Sequence, residues 1–185
     1  VLTHQVIPAV VYVATEMVGD GHVKHNGRGE LVIGSSASSE LIASVLTAAA
    51  IPTQVSENVI GALWAKLIVN CAYNALSAIT QLPYGQLVQQ EGVVRMMEEL
   101  VVECLTVASA AGVVVPGDSR ENVKQIARTM ADQTSSTAQD LARGKRSEID
   151  FLNGYVNRQG LLHHVPTPVN HALTSIVKML EKSSA

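Results

Sequence analysis

The chain has 185 residues, 47% hydrophobic and 16% charged, so it can bury a core and does not have the composition of a disordered segment. Its formal net charge is -3, and its one dense basic cluster is ARGKR (Arg143, Lys145, Arg146), which argues against a broad nucleic-acid-binding surface. Aromatic residues make up only 3% while Ala, Val and Leu abound, a balance that favours close-packed helices over an aromatic-rich β-sandwich.

In chain order, Val1-Leu2-Thr3 reads as the inside of a domain, so the chain is expected to be a piece of a longer protein. Residues 9–18 (AVVYVATEMV) predict a strand, and Gly19-Asp20-Gly21 a turn. HVKHN and ELVIG predict two further short strands separated by Gly27-Arg28-Gly29, giving a small antiparallel patch. Ser38 or Ser39 is placed to cap a helix over about 40–50, and TQVSENV follows Pro52 as an extended connection. A long helix is predicted over about 60–80, stopped by Pro83-Tyr84-Gly85, and another over 92–111, stopped by Gly112 and Pro116. SRENVKQIARTMAD (119–132) reads as an amphipathic helix with a capping serine. A polar stretch leads into SEIDFLNGYVNRQG, which resumes helical spacing; HHVPTPVN is a proline-fixed loop, and 169–181 close the chain as a last amphipathic helix.

No apolar run reads as approaching the roughly 18 residues of a membrane span, and no signal-peptide pattern is present. Cys71 and Cys104 sit in apolar helical patterns and read as reduced core residues, which points to a cytoplasmic setting. The six histidines, among them His4, have no HExxH or CxxC context, so no metal site is expected. There is also no GxGxxG, P-loop or GxSxG pattern, and neither cysteine has a charged activator nearby in sequence.

Two groups of polar residues interrupt this apolar scheme. In WAKLIVNCAYN (64–74), Lys66, Asn70 and Asn74 recur every four residues. At 3.6 residues per turn they drift about 40° per step and line one stripe about 12 Å long. A cation and two amides in a row suit a small anionic molecule bearing hydroxyl or carbonyl groups, the lysine serving as a proton donor. Spacing alone fits a solvated stripe, or amides capping nearby loops, better than a binding wall. The second group is SSTAQDLARGKRSEIDFLNG, with Ser135 and Ser136 leading to Glu148 and Asp150. By itself it reads as a helix cap followed by exposed ion pairs.

Together, in this order, these motifs closely resemble the ketopantoate reductase (2-dehydropantoate 2-reductase) family over nearly the whole chain. GDGHVKHNGRGELVIG resembles the last strands of that family's nucleotide-binding domain, and VSENVIGALWAKLIVNCAYNALSAIT its central helix. SSTAQDLARGKRSEIDFLNGYV resembles its serine-rich signature, and VPTPVNHAL its C-terminal loop. The resemblance implies a mainly α fold: an all-helical C-terminal domain of the 6-phosphogluconate dehydrogenase C-terminal-like class over 37–185. Before it, residues 1–36 would be a small antiparallel β remnant of a Rossmann domain. The Gly-rich phosphate loop of such a domain is not found, so NADPH would be bound mainly by a missing N-terminal part.

The activity implied is NADPH-dependent reduction of ketopantoate to pantoate in pantothenate biosynthesis. Lys66 matches the catalytic lysine, Asn70, Asn74 and Ser136 match substrate-binding residues, and Glu148 matches a cofactor-binding glutamate. The polar stripe would then be one wall of a cleft. Expected partners are a small 2-keto acid and, for assembly, a second copy in a homodimer; neither nucleic acid nor membrane is expected. The isolated chain is expected to be inactive and to bind NADPH weakly. Four positions depart from the family pattern: Tyr84 where an asparagine is frequent, Thr137 for methionine, Ser147 for threonine and His164 for glycine. Tyr84 removes one expected substrate contact, which leaves a reductase of another 2-keto acid open. A helical dimerisation module is a further alternative.

Overall fold

The computed structural model of the chain describes residues 6–183; His4 and the first residues of the expected β remnant lie outside this range. The chain divides into two compact units, Val1–Leu63 and Trp64–Ala185.

In the first unit, β1 (Ala9–Gly19) pairs antiparallel with β2 (His22–Gly34) across Asp20-Gly21, where Gly21 takes φ +71°. The expectation of two strands on either side of Gly27-Arg28-Gly29 is corrected: β2 runs straight through. These three residues form an irregularity within the ladder, with Tyr12 opposite Glu30 and Val13 opposite Arg28. Arg28 tolerates φ +60° there because its guanidinium lies over the Tyr12 ring, 4.2 Å from the centroid, and meets Glu30 at 2.6 Å.

Helix α1 (Ser39–Ala48) follows. Ser38 occupies its cap position without a side-chain bond, while the Ser39 hydroxyl donates instead to Gly34 O at 2.6 Å. The extended connection after Pro52 is itself a strand, β3 (Thr53–Ser56), and it pairs with β2 in parallel. The strands within residues 1–36 are antiparallel, and β3 extends them to a three-stranded sheet in the order β1-β2-β3 with one parallel pair.

Helix α2 (Val59–Thr80) begins in the first unit and becomes the axis of the second. Residues Cys71–Ala78 are buried on every face. The expectation about apolar runs is corrected here: by length and composition this 22-residue helix could cross a membrane. Burial among other helices explains its hydropathy equally well, as for any central helix of a helical core. Around it pack α4 (Val93–Ala110), α7 (Asn153–Leu162) and α8 (Pro168–Ser183), which contribute Leu100, Cys104, Val107, Val156 and Val177, all fully buried. Both cysteines are free thiols in this core, and burial raises the Cys71 thiol well above its ordinary pKa.

Three shorter helices complete the unit: α3 (Tyr84–Leu87), α5 (Ser119–Thr129) and α6 (Ser136–Ala142). Proline 83 stops α2, as expected, but it also opens α3, as suits a residue with fixed φ at a helix start. Asp118, not Ser119, caps α5, its carboxylate accepting from Arg120 N and Glu121 N. Ser119 is turned into the core instead. The Tyr84 ring packs 4.7 Å from that of Tyr73, whose hydroxyl donates to Val123 O at 2.7 Å.

Amides and a carboxylate knit α4, α7 and α8 together. Asn153 Nδ2 donates to Cys71 O and to Asn170 Oδ1, and Asn170 Nδ2 donates to Glu103 Oε2. The same Glu103 carboxylate accepts Val169 N and Asn170 N, so a residue of α4 caps the N-terminus of α8. After α7 the chain turns at His164, which takes φ +56° while Val165 N donates back to Gly160 O. That left-handed position is why glycine suits this site better.

Two predictions follow from these contacts. Substituting His164→Gly relieves the left-handed strain and raises stability by about 1 kcal/mol, read as the shift in a urea unfolding midpoint. Burial, and then the neighbouring Tyr73, push Tyr84 from its ordinary 10.0 up to about 12. The fold thus favours the neutral phenol. Its contribution is complete below pH 10 and is lost as pH rises from about 10 towards about 12. Tyr84→Phe should flatten the fall in stability across that window in alkaline denaturation curves.

Candidate active site

Along α2 the polar stripe runs from partly exposed to buried. Lys66 and Asn70 are partly exposed, whereas Asn74 is only 6% exposed. The difference reflects what covers each turn. Beside Asn74 lies the start of α6, where the Ser135 hydroxyl donates to Asn74 O at 3.1 Å and accepts Ala138 N at 3.0 Å. Ser135 N in turn donates to Ser77 Oγ at 3.2 Å. These bonds fasten the first turn of α6 to α2, one turn beyond Asn70.

Of the adjacent serines, Ser135 is therefore the buried cap, and Ser136 begins the helix with its side chain exposed. The serine pair and the inner end of the stripe, distant in sequence, are adjacent in space. The cap reading of this segment holds for Ser135, and Ser136 remains available to a ligand.

Glu148 stands before the 3₁₀ turn Ile149–Phe151, exposed, and its carboxylate makes no capping bond there. Its neighbours hold the backbone in place. Ser147 N and Ser147 Oγ both donate to Glu181 Oε1, at 2.7 and 2.6 Å, and Lys178 of α8 pairs with Asp150. Further on, the Asn153 bond to Cys71 O and the tilted packing of Tyr155 on Trp64, 5.8 Å between rings, tie α7 to α2. Glu148 is thus presented by a segment anchored on both α8 and α2.

Tyr84, standing where an asparagine contact to substrate is frequent in the resembled family, is buried with its ring against Tyr73. Asn153 and Asn170 were not singled out by sequence reasoning. The available signal was an amide on the same helical face as the apolar Ile149 and Val156, a position where a partnerless amide would be costly. Chemically, the arrangement offers one ammonium donor, amides that both donate and accept, an exposed hydroxyl and a carboxylate.

The two serines are separable by experiment. Ser135→Ala should cost about 1–2 kcal/mol, as loss of a buried cap does, whereas Ser136→Ala should change stability by less than about 0.5 kcal/mol. Chemical denaturation of both variants checks this.

Comparison with known proteins gives a consistent result. The family model described as ketopantoate reductase PanE/ApbA C terminal matches residues 58–181, well over half of the chain. The 2-dehydropantoate 2-reductase of Pyrobaculum aerophilum is 34% identical over 175 residues, spanning 95% of this chain and 62% of that protein. The enzyme of the same name from Vibrio cholerae is 36% identical over 166 residues, spanning 87% of this chain and 56% of that protein. The chain thus spans only about three-fifths of the length of these curated relatives. Among solved structures, a PanE/ApbA family ketopantoate reductase from Ralstonia eutropha JMP134 superposes with a TM-score of 0.93 at 56% identity. That match covers 96% of this chain and 60% of the other. A D-mandelate dehydrogenase in complex with NADH shares the fold, with a TM-score of 0.89 at 24% identity. With the helical fold, the Lys66 stripe and the serine segment already in place, these matches show that the chain belongs to the ketopantoate reductase family.

Proposed function

We propose that the chain is the substrate-binding and catalytic part of an NADPH-dependent 2-dehydropantoate 2-reductase, which reduces ketopantoate to pantoate in pantothenate biosynthesis. In this reading residues 1–36 belong to the nucleotide-binding domain and 37–185 to the helical domain. The observation that supports it is the Ser135 bond to Asn74 O, which ties the residue before Ser136 to the inner end of the Lys66 stripe.

The chemistry follows from the donors present. Ser136 Oγ and the amide of Asn74 hold the substrate carboxylate and hydroxyl by hydrogen bonds, and Asn70 fixes the carbonyl end. The Lys66 ammonium donates to the keto oxygen and transfers its proton there as negative charge develops on that oxygen. A group that binds the product alkoxide more tightly than the ketone lowers the barrier. Glu148, exposed and not used for capping, suits a hydroxyl of the dinucleotide. When bound, the reduced nicotinamide supplies the hydride to the carbonyl carbon.

The buried Tyr84 favours a second reading, a related reductase of another 2-keto acid, because one frequent substrate contact is replaced by core packing. A panel of 2-keto acids at equal concentration separates the two. Assembly as a homodimer is also proposed; a structural neighbour from Staphylococcus aureus is a dimeric ketopantoate reductase. A cytoplasmic setting accords with two free buried thiols.

In protein that includes a nucleotide-binding domain, Lys66→Ala should lower kcat with ketopantoate by about 10²–10⁴-fold, followed as NADPH oxidation. Undiminished turnover would remove Lys66 from the mechanism.

A further inference from the structure

A cavity of about 430 Å³ lies within the helical unit among α3, α4 and α5, and none of the residues assigned to the active site lines it. Its walls are apolar: Tyr73, Met97, Val101 and Val123 supply ring and hydrocarbon. The one hydroxyl among these four is already used, since Tyr73 donates to Val123 O.

Backbone contacts frame the space. Tyr84 N donates to Gln133 O and Gly85 N to Ala131 O, which hold α3 against the chain just beyond α5. The approach is so close that a Cβ on Gly85 would lie 2.9 Å from Ala131 Cβ. Gly85 and Ala131 of this clasp both line the cavity.

Charge at the cavity is lopsided. Arg120, Lys124 and Arg128 recur every four residues on α5 and therefore share a stripe, and all three line the cavity together with one acidic residue, Glu98. Lys124 pairs with Glu98 at 3.8 Å and Arg128 with Glu121 at 3.3 Å, but these side chains are about half exposed or more. Pairs of that kind contribute little and exchange readily for a better anion. An apolar chamber of this size with a few charged groups has the form of a small-molecule site. The occupant that satisfies both parts has a hydrocarbon body and one anionic head.

We propose that this cavity binds a medium-chain carboxylate, with its tail against Tyr73, Met97, Val101 and Val123 and its head among Arg120, Lys124 and Arg128. The site is independent of the reductase assignment and stands or falls without it.

Calorimetric titration of the full chain with hexanoate, octanoate and decanoate tests the proposal. One site per chain is expected, with affinity rising about fourfold per added methylene until the chamber is filled. Octan-1-ol should bind about tenfold or more weakly than octanoate, through loss of the charge-assisted contact, and octylammonium more weakly still. Two variants probe the two halves of the site. Arg120→Glu with Lys124→Glu should weaken octanoate by at least about tenfold. Val94→Trp, at a lining position that is 42% exposed, should obstruct the chamber without disturbing the core.

Several outcomes would overturn the proposal: no octanoate binding at millimolar concentration, equal binding of octanol, or unchanged affinity in both variants while their melting curves match the parent. Octanoate binding that disappears as the chain self-associates would also overturn it, marking the cavity as a contact between copies.

Discussion

The Ser135 hydroxyl joins two segments on which the rest of the helical unit depends. It donates to Asn74 O on the fully buried stretch of α2 and accepts the Ala138 amide that opens α6. An orphan N–H at that helix start, buried against α2, would cost about as much as a lost hydrogen bond. The same oxygen therefore satisfies a folding requirement and fixes the backbone one residue before the exposed Ser136.

A comparable economy governs the far side of α2. Glu103 projects from α4, caps α8 and holds Asn170, which in turn receives Asn153, whose other bond reaches Cys71 O. Four elements are thus linked by fully or mostly buried polar groups, each with a defined partner geometry. Hydrocarbon packing among Leu100, Val107, Val156 and Val177 supplies the driving force, but it is non-directional. The amide chain selects which helical register that packing adopts.

Most of the helices could be read from the sequence, because their apolar spacing and their Gly and Pro stops are local properties. Helix α2 was predicted within one residue of its observed start, and α4 within one residue at each end. What escaped reading depended on distant partners. β3 reads as connection until β2 lies beside it to accept its ladder. The break suggested by Gly27-Arg28-Gly29 is only an irregularity, since Tyr12 and Glu30 hold Arg28 in place. The cap expected at Ser119 falls to Asp118, and Ser38 takes its cap position without a side-chain bond, because several neighbouring residues have suitable side chains and only the chain's path decides among them. For the candidate site, the four-residue spacing of Lys66, Asn70 and Asn74 was visible, but their graded burial was not. Nor could spacing show that Ser135 and Ser136 have different roles, or that Tyr84 turns inward.

Cys71 and Cys104 are the only two cysteines of the chain, and both are fully shielded within one helical core, on α2 and α4. A thiol reagent reaches either sulfur only when those helices part, and burial keeps the Cys71 sulfur in its unreactive protonated form until then. The molecule therefore carries an intrinsic clock. The pace at which its sulfurs become alkylated measures how often the helical core opens, with no label added and no native residue replaced.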